Sequence, residues 1–435
     1  MIKYNTNINI GIIGLGYVGL PLAIEFGKIC STVGFDINES RIDELKKSID
    51  STLEIEKEEF DHADQLTFTT NKEELANIDI YIVTVPTPLD DNTQPDLGSL
   101  KKACETIAPF LCDQNIVIFE STVYPGATEE YCVPILESKS GLSFINSANE
   151  NQISKGFYCG YSPERINPGD KERTLTEIKK VTSASTLSSL EIVDNLYNMI
   201  INAGTVKASS IKIAEAAKVI ENTQRDVNIA LINEFSLIFK RLSIDTEEIL
   251  EIASTKWNFN HLKPGLVGGH CIGVDPYYLA HKAISSGYYP KLILSGRETN
   301  NKMGKVVADE VMTIMAGKNI SILDSNVLVL GFTFKEDCPD IRNTKVIDII
   351  DHLKEYGCNV DVYDPMINME EIQDEYDINL ISQPEEDRYS AVILAVAHQD
   401  FIDMGITKIR SFMHDNHVVY DVKYLFDINE VDGRL

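Results

Sequence analysis

Basic residues are scarce in this sequence. Thirty-nine Lys and Arg stand against 67 Asp and Glu, a formal net charge of −28 over 435 residues. That deficit excludes a nucleic-acid binder, which needs a basic footprint on the phosphates, and docking on an anionic lipid surface. Long apolar runs are missing too: none approaches the roughly 20 residues of a membrane span. The first residues, Met1-Ile2-Lys3-Tyr4-Asn5, show neither the basic nor the apolar region of a signal peptide. The eight cysteines (30, 104, 112, 132, 159, 271, 338, 358) contain no C-x-x-C pair, which argues against a disulfide scaffold or a cysteine-rich zinc site. A cytoplasmic protein with reduced thiols, no metal, and no nucleic-acid or membrane partner is expected. With 43% hydrophobic and 24% charged residues, the composition is that of a folded globular chain.

At about 150 residues per domain, the length predicts two or three domains. Apolar runs at Ile8–Ile13, Val33–Asp36, Ile78–Val85 and Asn115–Glu120 alternate with helical segments, the pattern of a parallel, doubly wound sheet. From Ser209 to Phe239 no Gly or Pro intervenes, and Ile213, Ala217, Ile220, Val227, Leu231 and Phe235 recur at helical spacing. That stretch predicts a helix of about 46 Å at 1.5 Å per residue; it serves either as a domain connector carrying a dimer interface or as a plain core helix. Asp245, with Glu248 three residues on, predicts the cap of another helix. After Ser325 the strand pattern restarts, at Val327–Gly331, Asn359–Tyr363, Ala391–Val396 and His417–Tyr420, with a helix over Val346–Tyr356 closed by Gly357. Beyond Phe426 no signal is legible. The fold class is therefore α/β: two Rossmann-like doubly wound domains joined by a long central helix and a helical connector, divided as 1–206, 207–305 and 306–435.

Gly14-Leu15-Gly16-Tyr17-Val18-Gly19 fits G-x-G-x-x-G. It follows a predicted strand and opens a predicted helix, the context that gives this short motif weight. Gly14 allows the tight turn, Gly16 lets a pyrophosphate approach the backbone, and Gly19 permits close helix packing. Asp36 ends the second strand, 22 residues after Gly14. A carboxylate there accepts from a ribose diol and repels a 2′-phosphate, so the cofactor read is NAD rather than NADP. In the last domain Gly331-Phe332-Thr333-Phe334-Lys335 takes the equivalent place. Its bulky side chains suit a different nucleotide.

Gly268-Gly269-His270-Cys271-Ile272-Gly273-Val274-Asp275 suits neither a helix nor a buried strand. On its own, Cys271 is either a small buried hydrophobe or a nucleophile. Beside an NAD site a thiol has a specific use. An aldehyde attacked by thiolate becomes a hydride donor again, giving a thioester that water releases as an acid. A Cys/His hydrolase built on His270 and Cys271 is weakened because neighbours on an extended chain point to opposite faces. Lys218 and Asn222 lie at i and i+4 on the long helix. They either serve a developing alkoxide and oxyanion or form a solvated polar face.

Seven motifs in order carry a resemblance: G-L-G-Y-V-G-L-P (14–21), V-P-T-P (85–88), S-T-V-Y-P-G (121–126), Y-S-P-E-R-I-N-P-G-D (161–170), A-E-A-A-K-V-I-E-N-T (214–223), P-G-L-V-G-G-H-C-I-G-V-D-P (264–276) and G-F-T-F-K-E-D-C-P-D-I-R-N-T (331–344). Along nearly its full length the chain resembles the UDP-glucose/GDP-mannose dehydrogenase family, and within it the members that make UDP-N-acetylhexosaminuronic acids. The resemblance implies two-step oxidation of C6 of UDP-N-acetylglucosamine for surface polysaccharide synthesis, with the galactosamine and mannosamine epimers as alternatives, by a homodimer or higher oligomer.

It also implies roles. Cys271 would be the nucleophile and Lys218 would serve the alkoxide, with Asn222 and Asp275 supporting them. Glu164 and Thr122 would position or activate the hydrolytic water. Thr84-Val85-Pro86-Thr87 and Ser121-Thr122 would line NAD, with Asp36 and Arg41 at its adenosine end and Arg342 reaching it from the last domain. Glu164, Arg165, Ile166, Asn167, Lys218, Asn222, Phe259, Gly265, Leu266, Val267, Gly268, Lys335 and Lys423 would hold the sugar nucleotide. At two positions where UDP-glucose dehydrogenases of the family carry substrate arginines, this chain has Thr255 and Lys423. The lost bulk and charge suit a 2-acetamido sugar.

Overall fold

The computed structural model describes residues 8–166, 173–269, 272–367, 376 and 378–435. The chain divides into two compact units, residues 1–221 with 277–288, and residues 222–276 with 289–435.

The first unit is built on β1 (Ile10–Ile13), β2 (Thr32–Phe35), β3 (Leu66–Thr69), β4 (Ile80–Val83), β5 (Ile116–Phe119), β6 (Ser143–Phe144), β7 (Gly156–Tyr161), β8 (Lys180–Ala184) and β9 (Thr205–Lys207), in the order β3-β2-β1-β4-β5-β7-β8-β9, with β6 beside β7. Pairing is parallel except between β7 and β8. β1, β4 and β5 are buried on both faces, as a parallel sheet covered by crossover helices requires. The helix Gly19–Gly27 packs Leu20, Leu22, Ala23 and Phe26 onto Ile10 and Ile12. Strand order reverses between β1 and β4, so their carboxyl ends flank the crevice where such sheets bind ligands.

The second unit repeats the plan. Its strands are β10 (Asn326–Leu330), β11 (Asn359–Tyr363), β12 (Asn379–Leu380), β13 (Tyr389–Leu394), β14 (Met413–Asp421) and β15 (Gly433–Arg434), all parallel, in the order β12-β11-β10-β13-β14-β15. Numbered within each unit, both sheets run 3-2-1-4-5; the second ends with strand 6, whereas the first continues 7-8-9. The illegible tail after Phe426 forms a short turn, Ile428–Glu430, capped by Asp427, and then β15. Two strand residues are too few to show a period. Their place is fixed instead by pairing with β14 and by Arg434, which binds Asp245 at 2.8 Å and Glu247 at 2.6 Å.

The long helix runs Ile211–Arg241, two residues later than its spacing predicts. Asp245 caps the next helix by accepting from the Glu248 N–H at 2.9 Å. The helix is rotated relative to the apolar stripe that suggested it. Ile213, Ile220 and Leu231 are about half exposed, whereas Glu215, Lys218, Asn222, Asp226 and Asn233 are buried. Its buried face mixes these polar groups with Ile211, Ala214, Val219, Ala230 and Ile232, and the polar groups find partners inside the fold: Asp226 pairs with buried Arg297 at 2.6 Å and accepts from Asn300 at 2.7 Å.

Candidate active site

The motif Gly14–Gly19 sits between β1 and the helix Gly19–Gly27. Gly14 has φ +96°, which only glycine adopts without strain. A Cβ on Gly19 would lie 1.8 Å from the Gly14 carbonyl oxygen and 2.5 Å from Thr84 Oγ1, whereas one on Gly16 would meet nothing within 4 Å. Gly19 is thus required by packing, and Gly16 faces open space at a helix N-terminus, where backbone N–H groups favour an anion. This cradle fits a dinucleotide pyrophosphate.

Thr84 Oγ1, at the end of β4, donates to the Gly14 carbonyl at 2.7 Å. Thr84 therefore shapes the loop itself. Asp36, half-buried at the end of β2, accepts from the Leu15 N–H at 2.8 Å and the Asn38 N–H at 2.9 Å. Arg41 is buried, bound to Asp50 at 2.8 Å and Glu44 at 2.5 Å, and its Nε donates to the Leu15 carbonyl at 2.9 Å. Its charge is neutralised within the fold, so it buttresses the glycine loop.

The other lining loops interlock. Ser121 Oγ donates to the Val85 carbonyl at 2.6 Å, and Thr87 Oγ1 to the Thr122 carbonyl at 2.7 Å. Tyr278 Oη donates to the Thr87 carbonyl at 2.9 Å. Glu215, one turn before Lys218, accepts from the N–H groups of Gly126 at 2.5 Å and Thr128 at 2.9 Å. This ties the 121–126 motif to the long helix. Burial raises the Glu215 carboxyl above its usual range against the pull of those two donors.

Glu164 follows β7 and is 7% exposed. Its Oε1 accepts the N–H groups of both Arg165 and Ile166. Arg165 pairs with Glu221 and donates to the Lys179 carbonyl at 3.1 Å. Behind Glu164 lies an ion cluster that the motifs did not reveal. Lys180 Nζ is 2.5 Å from Glu120 Oε2 and 3.6 Å from Glu164 Oε2, and Tyr197 donates to Glu120. Burial pushes the Glu120 carboxyl up to about 7, with Lys180 opposing and the Glu164 charge adding.

Lys218 and Asn222 are each 7% exposed, so the solvated-face reading does not hold. Lys218 belongs to the first unit and Asn222 to the second. Asn222 Nδ2 donates to Asp275 Oδ2 at 2.6 Å in buried surroundings. His270, Cys271 and Asn167 lie outside the described residues. The approach to Cys271 is nonetheless defined. Asn233 of the long helix accepts from the Gly265 N–H at 2.8 Å and donates to its carbonyl at 3.0 Å. Gly269 donates to the Asn343 carbonyl at 3.1 Å and accepts from Asn343 Nδ2 at 3.0 Å. Gly269 has φ +82°, and a Cβ there would strike the Phe334 ring at 2.6 Å; one on Gly268 would meet the Asn343 carbonyl at 2.6 Å. The two glycines before the cysteine are thus a docking strip for the 331–344 motif. Leu266 and Val267 pack inward beside them.

The remaining implied ligands are scattered. Arg342 is bidentate on Asp340, at 3.0 and 2.7 Å. Lys423 Nζ lies 3.8 Å from Glu336. The Lys335 carbonyl accepts from Thr333 Oγ1 at 2.9 Å. Phe259 is half-buried, and Thr255 is exposed. Among the described residues the seven cysteines form no disulfide, and six of them are buried. No group of three His, Cys, Asp or Glu there is placed to hold a metal ion. No described helix is long and apolar enough to cross a membrane.

Two sheets with nucleotide-binding strand order, one with a glycine cradle, define a dinucleotide-dependent enzyme with a second nucleotide domain. The chain belongs to the UDP-glucose/GDP-mannose dehydrogenase family: residues 8–201 match its NAD binding domain, 212–302 its central domain and 328–428 its UDP binding domain. It is an NAD-dependent nucleotide-sugar dehydrogenase. It is 56% identical over 429 residues (99% of this chain, 100% of the relative) to the UDP-N-acetyl-D-glucosamine 6-dehydrogenase of Pseudomonas aeruginosa. The same-named protein of Salmonella typhi is 54% identical over 98% of this chain and 99% of its own. Among solved structures, the UDP-D-ManNAc dehydrogenase of Pyrococcus horikoshii superposes with a TM-score of 0.86 at 26% identity, covering 98% of each chain.

Proposed function

We propose that this protein oxidises C6 of UDP-N-acetylglucosamine to the uronate, using two NAD and one water, in the cytoplasm and for surface polysaccharide synthesis. The full-length similarity to the P. aeruginosa UDP-N-acetyl-D-glucosamine 6-dehydrogenase carries the reading. Thr255 and Lys423, in place of two family arginines, agree with a 2-acetamido sugar. The division 1–206, 207–305, 306–435 assigns NAD to the first part and the UDP-sugar to the last. The exposed apolar residues Ile213, Ile220, Leu231 and Ile238 of the long helix support a homodimer.

Gly14, Gly16 and Gly19, with Asp36 at the ribose, would hold NAD, which would supply the hydride acceptor for C6 in each oxidation. Lys218, kept from water, takes the charge or proton of the C6 hydroxyl, and Asn222, oriented by Asp275, donates to the same oxygen. Cys271 then adds as thiolate to the aldehyde, giving a thiohemiacetal whose oxidation leaves a thioester. Glu164, with Thr122, takes a proton from the water that attacks the thioester carbon. The C–S bond breaks, the acid leaves, and the thiol is restored.

The test is a panel of UDP-sugars assayed for NADH and for product mass. UDP-N-acetylglucosamine should turn over fastest and yield two NADH per uronate. Faster turnover of an epimer would replace the substrate, and one NADH per product would end the thioester scheme.

A further inference from the structure

Glu164 is held in an unusual way for a surface-loop carboxylate. Two successive N–H groups, of Arg165 and Ile166, donate to Oε1, which leaves Oε2 to be held from the other side. Its Oε2 is buried and has no hydrogen-bond donor among the described residues. The group facing that oxygen is Lys180 Nζ, 3.6 Å away at the start of β8. Lys180 is 3% exposed and Glu120, at the end of β5, is 1% exposed. The elements packed here contribute Glu120, Glu164, Lys180 and Tyr197, which comes from the helix Leu187–Asn198, and Ser162 hydrogen-bonds Tyr197. Lys180 also lies 5.3 Å from the Tyr197 ring centre. One ammonium thus serves two carboxylates out of water, where charges act on each other far more strongly than in solvent.

We propose that Lys180, braced by Glu120 and Tyr197, is a positioning residue that holds Glu164 in its working orientation for thioester hydrolysis, with the protonation of Glu120 as its control. The inference rests on the reading of Glu164 as the group that activates water. When Glu120 carries a proton, its ion pair with Lys180 is lost and the ammonium is held less firmly beside Glu164. When Glu120 ionises, Lys180 is anchored between the two carboxylates and keeps Glu164 in place. The carboxyl of Glu120, lifted by burial to about 7, makes this change fall in the neutral range. The acid-forming step should therefore accelerate through about pH 7.

The experiment uses the full chain, loaded with NAD and UDP-N-acetylglucosamine in single turnover. Acyl-enzyme is followed by intact mass and NADH by absorbance, from pH 5.5 to 9. Glu164→Gln tests the underlying reading: acyl-enzyme should accumulate, with hydrolysis slowed by about a hundredfold. If hydrolysis stays at the parent rate, the reading of Glu164 fails. With that reading intact, Lys180→Met should slow hydrolysis by about tenfold or more relative to the first NADH burst, and Lys180→Arg should recover most of it. Glu120→Gln, which keeps the shape and the Tyr197 contact, should erase the inflection near pH 7. An unchanged inflection in Glu120→Gln overturns the proposal, as does Lys180→Met that hydrolyses at the parent rate or slows both phases equally. Thermal melts identify variants that fail to fold; should Lys180→Met be one, the Glu120→Gln pH profile decides.

Discussion

Gly16 and Gly19 belong to one motif yet should fail in different ways when changed to alanine. A methyl on Gly19 lands 1.8 Å from the Gly14 carbonyl oxygen, which is backbone and has nowhere to go. Overpacking of this kind costs about 1–3 kcal/mol, and for a unit of this size each 1 kcal/mol moves the melting temperature by about 2–4 °C. Gly19→Ala should therefore melt several degrees low with no ligand present. A methyl on Gly16 touches nothing within 4 Å, so the apo protein should stay within about 0.5 kcal/mol of the parent. The loss appears with cofactor. NAD at a hundred times its Kd stabilises the parent by about 2.7 kcal/mol. If the methyl occupies the phosphate's space and weakens binding about a hundredfold, about 0.4 kcal/mol remains. Calorimetric melts of each variant with and without NAD measure both effects. The argument is refuted if Gly16→Ala keeps the parent's NAD-induced shift, or if apo Gly19→Ala melts with the parent.

Asp36→Ala should weaken NAD and narrow the preference over NADP; an unchanged ratio of kcat/KM for the two cofactors would remove Asp36 from the ribose. Arg297→Ala leaves Asp226 buried without its cation and should cost about 3–5 kcal/mol, read by urea unfolding. Gly269→Ala meets both a φ of +82° and the Phe334 ring at 2.6 Å; uronate formation should collapse while NAD titration of the variant matches the parent. Glu120 has a folded value of about 7 against an ordinary 4.5, so the folded state binds more protons across that interval and stability falls as pH rises through it. The total is up to about 3 kcal/mol. The melting temperature of the parent relative to Glu120→Gln should accordingly decline between pH 4.5 and 7.

The sequence made the two sheets legible because their strands are apolar runs ending in glycine, and the cofactor loop because three glycines stand at fixed spacing. The long helix was located to within two residues, but the face it buries was not legible from its apolar stripe. Hydrophobic periodicity assumes that the inward side is apolar. Here Glu215, Lys218, Asn222, Asp226 and Asn233 turn inward, and Glu215, Asn222, Asp226 and Asn233 are each bonded to a loop or helix far away in sequence. Partners such as Gly126 for Glu215, Gly265 for Asn233 and Asn343 for Gly269 lie 89, 32 and 74 residues off. No local pattern encodes such pairs. The cluster of Glu120, Lys180 and Tyr197 was invisible for the same reason: its members sit on three separate elements, none within a motif that the resemblance assigned a role.

The repeated topology also explains why two like-ordered sheets take unlike ligands. In both, an aspartate at the end of the second strand reaches back to the loop after the first. Asp36 takes one N–H of that loop, that of Leu15, and remains half-exposed. Asp364 takes two, those of Phe332 at 2.7 Å and Thr333 at 3.1 Å, and is buried. It is further closed by His398, whose Nε2 lies 3.1 Å away. The Asp337 N–H occupies His398 Nδ1 at 3.0 Å, which places the ring proton on Nε2, facing Asp364. Phe332 is itself fully buried, and a Cβ on Gly331 would collide with Val396 at 2.5 Å. At the second crevice, the backbone donors and the carboxylate that could take a pyrophosphate and an adenosine ribose are already bound to each other. A dinucleotide is excluded there by satisfied hydrogen bonds as much as by bulk, which leaves the cofactor a single sheet to choose.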